Sequence, residues 1–397
     1  MLKRLLFYDI LAKIEHKNAI IITGMRQVGK TTLLKQVFTE TLENKPKLWF
    51  DFENPIDTKV FEETDYRNVY ERLRQMVGTP DGERLFVFID EVQNYPEVTK
   101  VVKYLIDHYG VKFFITGSSN YYLKNLFPES LSGRKFLYIL PPLSFREFLY
   151  FRGQLGADEA RARDLNKILR PADYISAKGL EPEYDEYLKF GGFPEVVSTA
   201  GAETKQEILK NIFKSFFEKD LKVLSDYRDV RELRDLILLL LPRVGSGLDI
   251  TKLAAELSAD RAKIYNYLEF LQGTFLIRLL PKFSKSIDRA VAGGKKVYFT
   301  DNGILNAIGR VNDAQLLENT VVNQLAEYGE LGFYNRRNTA EIDAILNKEI
   351  ALEIKTTGTT ADEARLSELA QSIGLKKYFI ISKNISERGN FISPTQL

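Results

Sequence analysis

A β-branched run, Ala19-Ile20-Ile21-Ile22-Thr23, leads directly into Gly24-Met25-Arg26-Gln27-Val28-Gly29-Lys30-Thr31 and then into the helix-forming stretch TLLKQVFTETL. Strand, glycine-flanked loop and helix in that order leave few folds open, because the loop must turn sharply and hand its end to a helix start. The spacing is GxxxxGK[ST]. Gly24 and Gly29 let the backbone curl so that N–H groups along Met25, Arg26, Gln27 and Val28 surround phosphates at a helix N-terminus. Lys30 supplies a point charge to the β- and γ-phosphates, the Thr31 hydroxyl is placed to ligate Mg²⁺, and Thr32 continues the phosphate-binding turn. The segment predicts an α/β core with an ATP and Mg²⁺ site.

A second apolar strand, Leu85-Phe86-Val87-Phe88-Ile89, ends in Asp90-Glu91. Acids at the end of such a strand lie in the crevice where α/β sheets bind ligands. Asp90 is expected to hold the metal through water and Glu91 to polarise the attacking water, a task that a GTPase-like site gives to glutamine. A third strand, Val111–Thr116, leads into Gly117-Ser118-Ser119-Asn120, which puts Ser119 within reach of the γ-phosphate or the lytic water; the same residues are also a good polar turn. Arg134, in Leu131-Ser132-Gly133-Arg134, precedes another apolar strand and reads either as a packing arginine or as an arginine finger, in cis or from a neighbouring subunit.

At 397 residues the chain needs more than one core. Hydrophobic residues at 44% and charged residues at 28% fit a globular protein, and the longest purely apolar run, Leu236 to Leu241, is far too short for a bilayer. The N-terminal MLKRLLFYDILAKIEHKN interleaves charges at helical spacing and predicts an amphipathic first helix of a cytoplasmic protein. With no cysteine and only two histidines, disulfides are excluded and a zinc enzyme is not expected. A net charge of +2 means that any nucleic-acid surface must be a local patch. Such a patch lies between Arg261 and Thr300, with eight Lys or Arg against two acids.

From Leu143 to about Arg243 the apolar spacing is helical, punctuated at Gly191-Gly192-Phe193-Pro194. Residues 249–271 then read as two short helices joined at LSADRAK, where Ser258 is expected to cap the second, and the strand-like TFLIRLLPKF follows. A helix-turn-helix with a β-ribbon after it is a winged helix, and Arg261, Lys263, Tyr265, Asn266, Tyr267, Lys282, Lys285, Arg289, Lys295 and Lys296 make a surface for double-stranded DNA. Winged helices also serve as protein–protein modules. Further on, Asp343 sits on one strand, and Glu353 and Lys355 share a face of the next because side chains alternate with period two. Two carboxylates and a lysine at one point suit metal-dependent phosphodiester hydrolysis, with Mg²⁺ on Asp343 and Glu353, Lys355 activating water, and Glu318 on the preceding helix completing the ligand set.

The tracts GMRQVGKTTLL, LFVFIDEVQNYPEV, FFITGSSN, ESLSGRKFLYILPPLSFREFL and YLKFGGFPEVV, in this order, resemble a large prokaryotic family of AAA-type ATPases. The resemblance covers residues 1 to about 200. It implies an AAA+ or RecA-like core, a helical lid and a C-terminal domain similar to PD-(D/E)xK nucleases, here Asp343…Glu353-Ile354-Lys355 with Ile342 where the pattern often has proline. The expected organisation is a P-loop AAA+ core at 1–142, a helical lid at 143–243, a winged helix-turn-helix at 244–290 and an α/β restriction-endonuclease-like domain at 291–397. The expected activity is Mg²⁺-dependent ATP hydrolysis acting on DNA, with a homo-oligomer as one assembly and no membrane partner. The alternative is a nucleotide-gated scaffold for protein partners with an inactive nuclease-like domain.

Overall fold

The computed structural model describes residues 2–78, 82–118, 131, 133–171, 174–220, 227–284, 293–309, 311–336, 340–385 and 389–397. The chain divides into two compact units, Met1–Pro141 with Gly273–Phe275, and Pro142–Gln272 with Leu276–Leu397.

The first unit is an α/β layer structure. Its strands are β1 (Ala19–Thr23), β2 (Lys47–Asp51), β3 (Phe86–Asp90), β4 (Lys112–Gly117) and β5 (Lys135–Ile139), all parallel and in the order β2-β3-β4-β1-β5. The apolar runs are explained by burial on both faces, which parallel sheets require. On one face Phe88 stacks on Phe114 with centroids 4.5 Å apart, and Phe38 of helix α2 (Lys30–Glu40) meets Phe88 edge-on. On the other face Val87, Ile89, Phe113 and Ile115 pack with Val102 and Leu105 of the helix Val98–Tyr109 and with Val69 and Leu73 of the helix Tyr66–Val77. Because the strands are parallel and in register, Thr23, Asp90 and Gly117 finish at one edge of the sheet.

The amphipathic N-terminal segment is helical only over Leu6–Leu11. Turn bonds continue to His16, whose N–H donates to the Lys13 carbonyl at 3.1 Å, and the carbonyls of Lys13, His16 and Asn18 also accept from the Nζ of the fully buried Lys112 at 3.1, 2.8 and 2.6 Å.

The second unit opens with helices, among them Phe145–Phe151, Glu181–Phe190, Ala202–Ser215 and Tyr227–Leu240. The helices Ile250–Leu257 and Arg261–Gly273 follow, then an antiparallel pair, β6 (Ile277–Pro281) and β7 (Lys295–Phe299). The cap of the second helix is not Ser258. That residue closes the first helix at φ +51°, and the Asp260 carboxylate accepts from Lys263 N at 2.7 Å. A carboxylate two positions on wins because Ser258 is spent on the left-handed turn. The helix Asp313–Leu325 leads into a mixed sheet of β8 (Leu331–Arg336), β9 (Ala340–Leu346), β10 (Ile350–Gly358), β11 (Lys377–Ile385) and β12 (Phe391–Ile392), ordered β12-β11-β10-β9-β8. Strands β8 to β10 are antiparallel, whereas β10, β11 and β12 run parallel, with the helix Thr360–Ser372 crossing between β10 and β11. No helix among the described residues is long and apolar enough to cross a membrane.

Candidate functional site

The loop after β1 is built from backbone that few residues tolerate. Gly24 has φ +152°, and a Cβ there would lie 2.1 Å from the Leu140 carbonyl oxygen. Gln27 and Gly29 also take positive φ, +62° and +93°. Gly29 caps α2 without a side chain, so no side-chain acceptor competes for the first N–H groups of an 11-residue helix. Those donors and the positive end of the helix dipole form an anion site. Lys30 is buried, and its Nζ donates to the carbonyls of Gly24 and Met25 at 3.0 and 2.6 Å. The loop is braced from outside by Arg4, a buried side chain absent from the sequence reading, which donates to the carbonyls of Val28 and, at 2.8 Å, Pro141. Nothing in the spacing around Arg4 signals that contact, because it depends on a chain separation of 137 residues.

Asp90 and Glu91 stand at the same sheet edge. Asp90 is buried and accepts from the Thr116 hydroxyl of β4, while the Glu91 N–H donates to Asp90 Oδ1 at 3.2 Å. Glu91 takes φ +53°, a left-handed conformation that costs a non-glycine residue about 1–3 kcal/mol. Its carboxylate accepts from the Gln93 amide, which also donates to Ser118 Oγ at 3.0 Å and accepts from Ser118 N at 3.3 Å. Gln93 thus ties the carboxylate to the end of β4, a role the sequence reading did not give it. Ser119 lies outside the described residues.

Arg134 is at the other end of the sheet. Its carbonyl accepts from Ala19 N at 2.8 Å, at the start of β1 and β5, and its guanidinium is paired with Asp107 at 2.6 Å. The length of β1 separates it from the loop by roughly 15 Å, so contact with a nucleotide on its own loop is ruled out; the reading in cis is corrected.

In the second unit the antiparallel pairing of β9 with β10 brings Asp343 beside Glu353: Asp343 Oδ2 accepts from Ile354 N at 2.9 Å. Glu353 Oε1 accepts from Lys355 at 2.9 Å and from Arg365 at 2.8 Å. Burial, and then the charge of Asp343, raise the Glu353 pKa; Lys355 and Arg365 only partly offset this. Glu318 comes from the helix Asp313–Leu325, accepts from the Tyr298 hydroxyl at 2.8 Å, and is pushed up to about 7 by burial and by Asp343. Between Glu318 and Asp343 stands Lys296 of β7, which the sequence reading assigned to DNA. Its Nζ is 3.6 Å from Glu318 Oε1 and 3.8 Å from Asp343 Oδ1 and contacts Glu341. Burial works against its charge, yet the carboxylates hold its pKa above the usual value. No group of three or more His, Cys, Asp or Glu placed to hold a metal ion occurs among the described residues, so Glu318, Asp343 and Glu353 do not form one three-carboxylate set.

The basic patch is smaller than its composition. Lys263 is clamped by Asp229 and Glu232 at 2.7 and 2.6 Å, Arg278 is half-buried with its Nε on Asn323 at 3.2 Å, and Lys296 is in the centre just described. Arg261 and Lys295 are exposed and Lys282 is half-buried, while Lys285 and Arg289 lie outside the described residues. Tyr265 is exposed, whereas Tyr267 is buried with its hydroxyl on Asp229 and Glu232.

A five-stranded parallel sheet with a lysine-bearing phosphate loop after β1 and paired acids after β3 defines a P-loop ATPase of the AAA type, and residues 16–149 match the model of an AAA domain. Residues 181–315 match a domain of unknown function, DUF8612. The chain belongs to the family of the uncharacterized protein MJ1544 of Methanocaldococcus jannaschii, with 30% identity over 359 residues, covering 86% of this chain and 76% of that one. An uncharacterized protein of Haemophilus influenzae is 28% identical over 340 residues, covering 83% and 79%. Among solved structures, the Aeropyrum pernix ORC1 protein in complex with DNA aligns with 76% of this chain and 90% of its own at 13% identity, with a TM-score of 0.32.

Proposed function

We propose that this chain binds ATP with Mg²⁺ at the loop Gly24–Thr32, hydrolyses it, and uses the nucleotide state to control a hold on double-stranded DNA. The observation that carries the reading is Lys30, whose buried ammonium rests on the Gly24 and Met25 carbonyls at an uncapped helix start, ready to exchange them for phosphate oxygens. Thr31 and Asp90 offer the oxygen ligands that Mg²⁺ takes. Bound there, Mg²⁺ would neutralise charge on the phosphates. Glu91 orients and polarises the attacking water, and Gln93 sets where its carboxylate lies. Arg134 acts on the nucleotide of a neighbouring subunit in a homo-oligomer, leaving Asp107 to do so. The helices from Phe145 onward act as a lid, the paired helices with β6 and β7 as a winged helix touching DNA through Arg261 and Lys295, and the C-terminal sheet as a nuclease-like domain with Asp343, Glu353 and Lys355 at its centre.

ATP hydrolysis by wild type, Lys30→Ala and Glu91→Gln, with and without duplex DNA, tests the proposal. Expected are loss of binding and turnover in Lys30→Ala, retained binding with turnover lowered about 10²-fold in Glu91→Gln, and stimulation by DNA. Turnover that survives Lys30→Ala sinks the nucleotide reading. A second reading, a nucleotide-gated protein scaffold, is favoured by the internal pairing of Lys263, Arg278 and Lys296. DNA affinity that falls steeply with log[salt] speaks for DNA, and no DNA binding at low salt speaks for the scaffold.

A further inference from the structure

We propose that Arg4 is a positioning residue of the nucleotide site: its guanidinium clamps the phosphate loop to the segment by which the chain leaves the first unit, so that phosphate binding at the loop is felt at Pro141. The inference rests on reading Gly24–Thr32 as the ATP site.

Arg4 is 3% exposed, and its two terminal nitrogens serve segments far apart in sequence, one donating to the Val28 carbonyl and the other to the Pro141 carbonyl at 2.8 Å. The planar fork of a guanidinium fixes both bonds at once, which the point charge of a lysine does not. The first bond bears on phosphate geometry. In a trans peptide the C=O and the N–H that follows it point in opposite directions, so a Val28 carbonyl held towards Arg4 turns the Gly29 N–H away from it, to the side where a helix start receives a phosphate. The Arg4 stem runs beside the same residue, with Cγ 4.0 Å from where a Cβ on Gly29 would stand. Lys30 takes the Gly24 and Met25 carbonyls, so each end of the loop is set by a buried cation.

The second bond leads out of the unit. Pro141 is the last residue before the chain passes, at Pro142, into the second unit. The residue before it is already fastened to the loop, since the Leu140 N–H donates to the Thr23 carbonyl at 2.7 Å and the Leu140 carbonyl oxygen stands where Gly24 leaves room for no Cβ. Just past the crossing, the Leu143 N–H donates to the Gly192 carbonyl at 2.7 Å. A turn of the Val28–Gly29 peptide plane on phosphate binding therefore pulls, through one side chain, on the carbonyl beside that crossing. Arg4 is itself well anchored. Its carbonyl accepts from Phe7 N at 2.9 Å at the start of the helix Leu6–Leu11, Lys3 pairs with Glu40 of α2 at 2.6 Å, and Gln36 of α2 donates to the Leu2 carbonyl at 3.3 Å.

The full chain as wild type, Arg4→Met and Arg4→Lys tests the clamp, with Kd for a β,γ-imido ATP analogue and Mg²⁺ from calorimetry and with hydrogen exchange of the Leu140 and Leu143 amides, free and bound. Wild type is expected to exchange both amides more slowly once the analogue binds. Arg4→Met is expected to weaken binding about tenfold and to abolish that response, and Arg4→Lys to recover part of the affinity but none of the response. Should Arg4→Met fail to fold, Arg4→Lys carries the expectation of a lost response. A lower melting temperature with unchanged Kd and an intact response would make Arg4 a packing residue and overturn the inference, as would full recovery by Arg4→Lys or a wild type that binds the analogue with no response at either amide. A wild type that binds no analogue overturns the nucleotide reading and the clamp with it.

Discussion

Gln93 contacts the Glu91 carboxylate and both donor and acceptor groups of Ser118, so it fixes a group whose backbone is already strained into the left-handed region. Gln93→Ala should lower kcat about tenfold with little change in KM, because ATP binding uses other residues; Gln93→Glu should not restore it. Equal changes in kcat and KM would remove Gln93 from the role. Asp301 gives a pH signature in the second unit. It is fully buried, accepts from the backbone of Gly192 at 2.7 Å and Ile304 at 3.0 Å, and is raised by burial from 3.8 to about 6. The folded state thus holds a proton between those values that the unfolded chain has released, so its contribution to stability is full below pH 3.8 and is lost as pH rises through about 6. Unfolding of wild type against Asp301→Asn should show the difference changing by about 3 kcal/mol across that window; a pH-independent difference would mean that the carboxyl does not titrate there. At this scale the sequence reveals residues whose geometry is local. Gly24, Gly29 and Lys30 are legible because a phosphate loop fixes their spacing, and Asp343, Glu353 and Lys355 because strand alternation does. Arg4, Gln93 and Lys296 are not, since each acts on groups that only the tertiary fold brings near, and Lys296 and Lys263 read as surface cations because charge alone does not reveal a buried partner.

The helix Arg261–Gly273 is started by Asp260, with Lys263 N on its carboxylate. Asp260→Ala should cost about 1 kcal/mol, measured by chemical unfolding, whereas Ser258→Ala should leave the second helix's N-terminus unaffected. The element order helix, helix, ribbon was legible from spacing and turn residues, and strands β8, β9 and β10 from period-two alternation. The helix Thr360–Ser372 and strands β11 and β12 were not read. Their apolar residues Leu366, Ala370, Ile380 and Ile381 are buried, but the helix offers only a narrow apolar stripe, and β12 is two residues long. The amphipathic start of the chain shows the opposite failure, a helical pattern that gives way to turns after Leu11, where Lys112 packs its ammonium against the carbonyls of Lys13, His16 and Asn18.

At the scale of the molecule, the role proposed for Arg134 would make hydrolysis an assembly property. The turnover per chain should rise with protein concentration, and Arg134→Ala chains mixed with Lys30→Ala chains should regain less activity than wild type mixed with Lys30→Ala. Turnover independent of concentration, with Arg134→Ala fully active alone, would return Arg134 to its pairing with Asp107. The sheet order carries a further consequence, for how the chain is made. β1 pairs only with β4 and β5, and roughly 90 residues separate Thr23 from Lys112. At synthesis rates of about 5–20 residues per second, the nascent chain carries an unpaired Ile20-Ile21-Ile22 edge for about 5–20 s before its first neighbour emerges. The strand that later holds the phosphate loop in place is, during translation, an adhesive segment, and it is the part of this protein that a ribosome-associated chaperone has most reason to cover.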